Sequence, residues 1–90
     1  MKIKHNSKVA LITGGSRGIG FDCAKKLANE GYNLAICSRS NAELKLASDF
    51  LVKNYKIKCI YMALDASKID DVKKFIKKIL INLKSIDILI

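Results

Sequence analysis

Proline is absent from the 90-residue sequence, and no stretch has linker composition or low complexity, so nothing marks a boundary between domains. Arginine is scarce: Arg17 and Arg39 are the only two among 17 basic residues. The formal charge of +9 is therefore carried by scattered lysines with acidic residues interleaved. Without a block of five like charges or an aromatic-rich basic stretch, this balance argues against a nucleic-acid partner. The densest cluster, Lys73, Lys74, Lys77 and Lys78, has the spacing of the solvated face of an amphipathic helix. The cysteines, Cys23, Cys37 and Cys59, are odd in number and far apart, with no CxxC and no His/Cys ligand spacing. That argues against both a disulfide framework and a metal site, so buried free thiols are expected. The one histidine, His5, precedes the first apolar run and reads as an exposed terminal residue. Long hydrophobic runs are missing too: the first apolar segment meets a glycine-rich turn too soon for a signal peptide or a membrane span, so a cytoplasmic location with no membrane partner is expected.

What is present is a chain half hydrophobic, enough to bury a core, although a domain this small buries only roughly 60 to 65% of its unfolded surface. Short β-branched runs alternate with stretches of helical period, the pattern of βαβ units. Lys8 to Ile12 reads as a strand covered on both faces. Phe21, Ala24, Leu27 and Ala28 follow with helical period, and Gly31 sits where a left-handed cap would end that helix. Leu34 to Cys37 form a second strand. Ser40 with Glu43 is a capping box opening a helix that carries Leu44, Ala47, Phe50 and Leu51 and ends near Asn54. Ile57 to Met62 give a third strand. Ser67 with Asp70 predicts a second capping box, before a helix with Ile69, Val72, Phe75, Ile76, Ile79, Leu80 and Leu83 inward. Ile86 to Ile90 begin a fourth strand. The expected fold is α/β: residues 1–90 as part of one domain, a partial doubly wound parallel sheet in strand order 3-2-1-4, with right-handed helical crossovers on both faces.

The most informative segment, Thr13-Gly14-Gly15-Ser16-Arg17-Gly18-Ile19-Gly20, lies between the first strand and the first helix. Glycines there let the backbone turn sharply and approach a phosphate, while the free N–H groups and positive dipole of the helix start favour an anion. By analogy with other dinucleotide-binding turns, Gly14 makes the bend, Gly18 admits a pyrophosphate and Gly20 lets the helix pack closely on the strand. The end of the second strand selects the cofactor: a carboxylate there binds the ribose 2′-OH of NAD, whereas arginine accommodates the 2′-phosphate of NADP. Ser38 and Arg39 occupy that position, which favours NADP(H) over NAD(H).

The spacing TGxxxGxG, the strand ending Cys37-Ser38-Arg39, the Leu64-Asp65-Ala66-Ser67 segment and the closing Ile86-Asp87-Ile88-Leu89-Ile90 resemble the short-chain dehydrogenase/reductase family over the whole chain. The resemblance implies a nucleotide-binding Rossmann domain. It also implies that Arg17 is a second basic residue beside the 2′-phosphate, that Asp65 accepts from the adenine amino group, that the backbone of Ala66 meets the adenine ring, and that Gly15, Ser16 and Ile19 belong to the cofactor-binding loop with the residues above. The cofactor would lie across the carboxyl ends of the strands, at the switch between strands 1 and 4. Family members transfer hydride between nicotinamide and a carbonyl or alcohol, using a tyrosine, a lysine and a serine that lie beyond an NNAG segment. None of Tyr32, Tyr55 and Tyr61 begins the family's YxxxK pattern, so no catalytic residue is assigned. The resemblance therefore implies a fragment, truncated after the fourth strand and inactive alone. Its open apolar edge at Ile88, Leu89 and Ile90 would favour aggregation or marginal stability. The full-length protein would act on a small-molecule carbonyl or alcohol and assemble as a homo-oligomer. The competing expectation is a non-catalytic nucleotide-binding or interaction module.

Overall fold

The computed structural model describes residues 8–90, so the reading of His5 lies outside the described residues. Strands and helices alternate: β1 (Val9–Thr13), α1 (Gly18–Asn29), β2 (Asn33–Ser38), α2 (Asn41–Tyr55), β3 (Cys59–Ala63), α3 (Ile69–Leu83) and β4 (Ile88–Leu89). They form a parallel four-stranded sheet in the order β3-β2-β1-β4.

The period-two alternation of the strands divides the core between the two faces. Ala10 and Ile12 of β1, with Leu34 and Ile36 of β2, meet Ala24 and Ala28 of α1 and Leu44, Ala47 and Leu51 of α2. On the other face Val9, Leu11, Ala35 and Cys37 pack against Phe75, Ile79 and Leu83 of α3. Both central strands are thus buried from two sides, which is why their sequences are continuously apolar rather than alternating. The helix ends follow local chemistry. Gly31, at φ 89°, provides the left-handed turn after α1, and its N–H donates to the Ala28 carbonyl at 2.9 Å. The Ser40 hydroxyl accepts from the Glu43 amide at 3.2 Å to cap α2. That helix ends instead at a left-handed lysine, Lys56, with φ 55°.

Several sequence expectations need correction. The second capping box does not form: α3 starts after Lys68 with no side-chain cap, because Ser67 donates from its amide (2.9 Å) and its hydroxyl (2.7 Å) to Asp65 Oδ1. The short-range turn wins over the cap because Asp65 is only two residues away. Ile69, Leu80 and Phe50, expected on inward faces, are exposed. Phe50 nonetheless stacks edge-on with Phe21 and Tyr55, at ring-centre distances of 5.7 and 6.4 Å. Regular pairing in β4 covers only Ile88 and Leu89, but the backbone bonds continue outward. Asp87 N donates to the Val9 carbonyl (2.8 Å), Ile90 N to the Leu11 carbonyl (2.9 Å) and Thr13 N to the Ile90 carbonyl (2.9 Å). Lys73, Lys74, Lys77 and Lys78 do lie on the exposed side of α3. No helix among the described residues is long and apolar enough to cross a membrane.

Candidate functional site

Parallel pairing brings the carboxyl ends of β1, β2 and β3 to one edge of the sheet, with Thr13 opposite Cys37 and Ser38 opposite Ala63. The glycine turn leaves β1 there. Gly14 stands at φ 66° and its N–H donates to the Cys37 carbonyl at 2.8 Å, anchoring the turn to β2. Gly18 opens α1 at φ 61°. At both positions the space a Cβ would enter is empty, so the left-handed backbone and open access for a ligand set the requirement. Gly15 and Gly20 answer to packing instead. A Cβ on Gly15 would lie 2.7 Å from Ile36 Cγ2, and one on Gly20 would collide with the carbonyl oxygen of Gly14. The close approach at Gly20 is therefore between the helix start and the turn's own backbone.

The start of α1 suits an anion. Its first-turn amides have no intrahelical acceptors, the turn holds no acidic residue, and Arg17 at the N-cap makes no side-chain cap. A cleft of about 280 Å³ adjoins the turn, lined by Thr13, Gly14, Ser38, Arg39, Asp65 and Ala66 among others. The Ser38 hydroxyl accepts from Ser16 Oγ and from the Ser40 amide, each at 3.3 Å, tying the glycine turn to the end of β2.

Two ion pairs flank this junction. Arg39 Nη2 lies 3.5 Å from Asp65 Oδ1, and Arg17 Nη1 lies 3.6 Å from Glu43 Oε1; the arginine side chains are 80% and 84% exposed. Asp65 is held below the ordinary carboxylate pKa chiefly by the Ser67 hydroxyl and amide, against an opposing effect of burial that outweighs the individual help from nearby Arg39 or Lys68. Its Oδ1 carries all three contacts. Burial raises the pKa of the Cys37 thiol, which also lines the cleft, and lifts Cys59 to about 11, so both stay protonated. All three cysteines are free, as expected, though only Cys37 is fully buried.

Gly14, Ser38, Arg39, Asp65 and Ala66 thus share one cleft, and Ser16 joins them through Ser38. Gly18 and the exposed Ile19 lie at the helix start, Gly15 and Gly20 are packing positions, and Arg17 is turned toward α2. Sequence reasoning missed Glu43 as an arginine partner, because its position three residues after Ser40 already explained it as part of a cap. It also missed Ser67 as the residue that fixes the Asp65 carboxylate. Among the described residues no group of three or more His, Cys, Asp or Glu could hold a metal ion.

Comparison with known proteins gives a consistent picture. The short chain dehydrogenase family model matches residues 8–90. A 3-oxoacyl-[acyl-carrier-protein] reductase of Staphylococcus epidermidis is 34% identical over 93% of this chain and 34% of its own. L-sorbose reductase of Gluconobacter frateurii, solved with NADPH and L-sorbose, superposes with a TM-score of 0.90 at 28% identity, over 99% of this chain and 34% of that one. An NAD+-bound xylitol dehydrogenase superposes with a TM-score of 0.89 at 26% identity, over 96% of this chain and 33% of that one. The chain spans about a third of the length of these proteins.

Proposed function

The chain belongs to the short chain dehydrogenase family, and from that premise we propose that it is the NADP(H)-binding portion of an oxidoreductase acting on a small carbonyl or alcohol substrate. The observation that carries this reading is the junction of the glycine turn with the end of β2. There Ser38 and Arg39 share a cleft with Gly14 and Asp65, and no carboxylate occupies the strand end. The fit to a dinucleotide rests on geometry: empty space beside the left-handed Gly14 and Gly18, and a helix start with no acidic residue.

The roles divide along the cleft. The first-turn amides of α1, from Gly18 to Gly20, orient a pyrophosphate by donating N–H groups. Arg39 and Arg17, which follow the hydrogen-bonded Ser38 and Ser16, neutralise a 2′-phosphate. Asp65 accepts from the adenine amino group and the Ala66 backbone bounds the ring. When bound, the nicotinamide supplies or accepts the hydride. No residue of this chain is assigned to the proton transfer that accompanies it.

The similar structures include NADPH-bound and NAD+-bound proteins, so the shared fold leaves the choice of cofactor to the side chains. A carboxylate after β2 would repel a 2′-phosphate, whereas Arg39 attracts it. Each charged hydrogen bond to phosphate contributes roughly 1.5 to 3 kcal/mol, which places the preference for NADPH at about tenfold or more. Titration calorimetry should show NADPH binding tighter than NADH by that margin. Equal affinities, or tighter NADH binding, would overturn the assignment.

A further inference from the structure

We propose that Glu43 is a specificity-determining residue of this site: its carboxylate pairs with Arg17, competes with a 2′-phosphate for it, and so limits the preference for the phosphorylated cofactor. The inference rests on the NADP(H) reading and refines it.

The geometry ties the two arginine-bearing segments together. The hydroxyls of Ser16 and Ser38 are 3.3 Å apart, and the next residue along each segment is an arginine, Arg17 and Arg39. Each guanidinium is paired with a carboxylate, Glu43 at 3.6 Å and Asp65 at 3.5 Å, so the junction's two cations are neutralised from within the chain. The two carboxylates are held differently. Asp65 is fixed independently of Arg39 by the Ser67 amide and hydroxyl. Arg17 is the one partner shown for the Glu43 carboxylate among the described residues. Glu43 does not complete the reciprocal half of a capping box, because the Ser40 amide donates to Ser38 Oγ instead. The cap on α2 uses only the Glu43 backbone N–H, so the side chain can be changed without removing the cap.

Electrostatics gives the direction. A phosphate monoester carries a charge of roughly −1.5 to −2 near neutral pH and binds a guanidinium more strongly than one exposed carboxylate does. It therefore takes Arg17, but it must first break an ion pair and then lie near a stranded negative charge. NADH, lacking the 2′-phosphate, makes no such exchange.

The test is Glu43→Gln, with NADPH and NADH affinities measured by titration calorimetry on the same preparations. The variant should tighten NADPH binding by about threefold, the scale of an exposed ion pair, and leave NADH binding unchanged. Retained NADH affinity also reports that the site is folded. In an Arg17→Gln background the same substitution should lose most of its effect. A wild-type protein without NADPH preference would overturn the NADP(H) reading itself, and this inference with it. A wild-type preference that Glu43→Gln leaves unchanged or lowers would overturn the role of Glu43 alone.

Discussion

Replacing Ser38 with aspartate and Arg39 with alanine together should reverse cofactor preference from NADPH toward NADH. The Arg39 guanidinium lies 80% exposed at the cleft that Ser38, Gly14 and Asp65 also line. Its loss removes at least one charged contact to a 2′-phosphate, about 1.5 kcal/mol or more. The Ser38→Asp change adds a carboxylate that repels the phosphate and accepts a ribose 2′-OH. The strand end can hold that carboxylate, since the Ser16 hydroxyl and the Ser40 amide already donate to the side-chain oxygen it would replace. The existing pair between Arg39 and Asp65 tempers the gain from phosphate only slightly, because solvent screens so exposed an ion pair. The ratio of NADH to NADPH affinity in the double variant should rise by about a hundredfold, the sum of a lost attraction and an added repulsion each worth about 1.4 kcal/mol. An unmoved ratio would place the 2′-phosphate elsewhere.

Gly20→Ala should abolish dinucleotide binding and destabilise the fold. Its new methyl would collide with the Gly14 carbonyl oxygen and lie 2.8 Å from the Gly14 carbonyl carbon, so backbone rather than a flexible side chain must yield. Gly14 has little freedom to move, being bonded through its N–H to the Cys37 carbonyl at 2.8 Å. Overpacking of this kind costs about 1 to 3 kcal/mol, and the displaced turn takes the Gly18 to Gly20 amides off the pyrophosphate. The expected result is a lower thermal midpoint together with loss of measurable NADPH binding. Wild-type affinity in this variant would mean that the turn does not hold the phosphates.

The two-faced burial of β1, the left-handed Gly31 and the Ser40 cap were legible in the sequence, because each is set by residues within a few positions of one another. The strand order followed from the alternation of strand and helix with the glycine turn after β1. Ser67 was misplaced because two local motifs competed for it, and proximity to Asp65 decided against the cap. Leu80 and Ile69 fit the apolar period of α3 yet lie outside the arc that meets the sheet. The pairing of Arg17 with Glu43 links the glycine turn to α2 across 26 residues, a separation at which no local pattern speaks. The cleft itself could be inferred only as a consequence of strand order, since its lining comes from the ends of β1 and β2 and from the segments that follow β1, β2 and β3.

Amide chemical shifts recorded by NMR during titration with NADPH, and in parallel with NADH, test most directly whether this junction is the cofactor site. The largest shifts with both nucleotides should fall at Gly14, Gly18, Ile19 and Gly20, with a further set at Ser38, Arg39 and Glu43 seen only with NADPH. Shifts centred away from the carboxyl ends of β1 and β2, or no difference between the two nucleotides at Arg39, would contradict it.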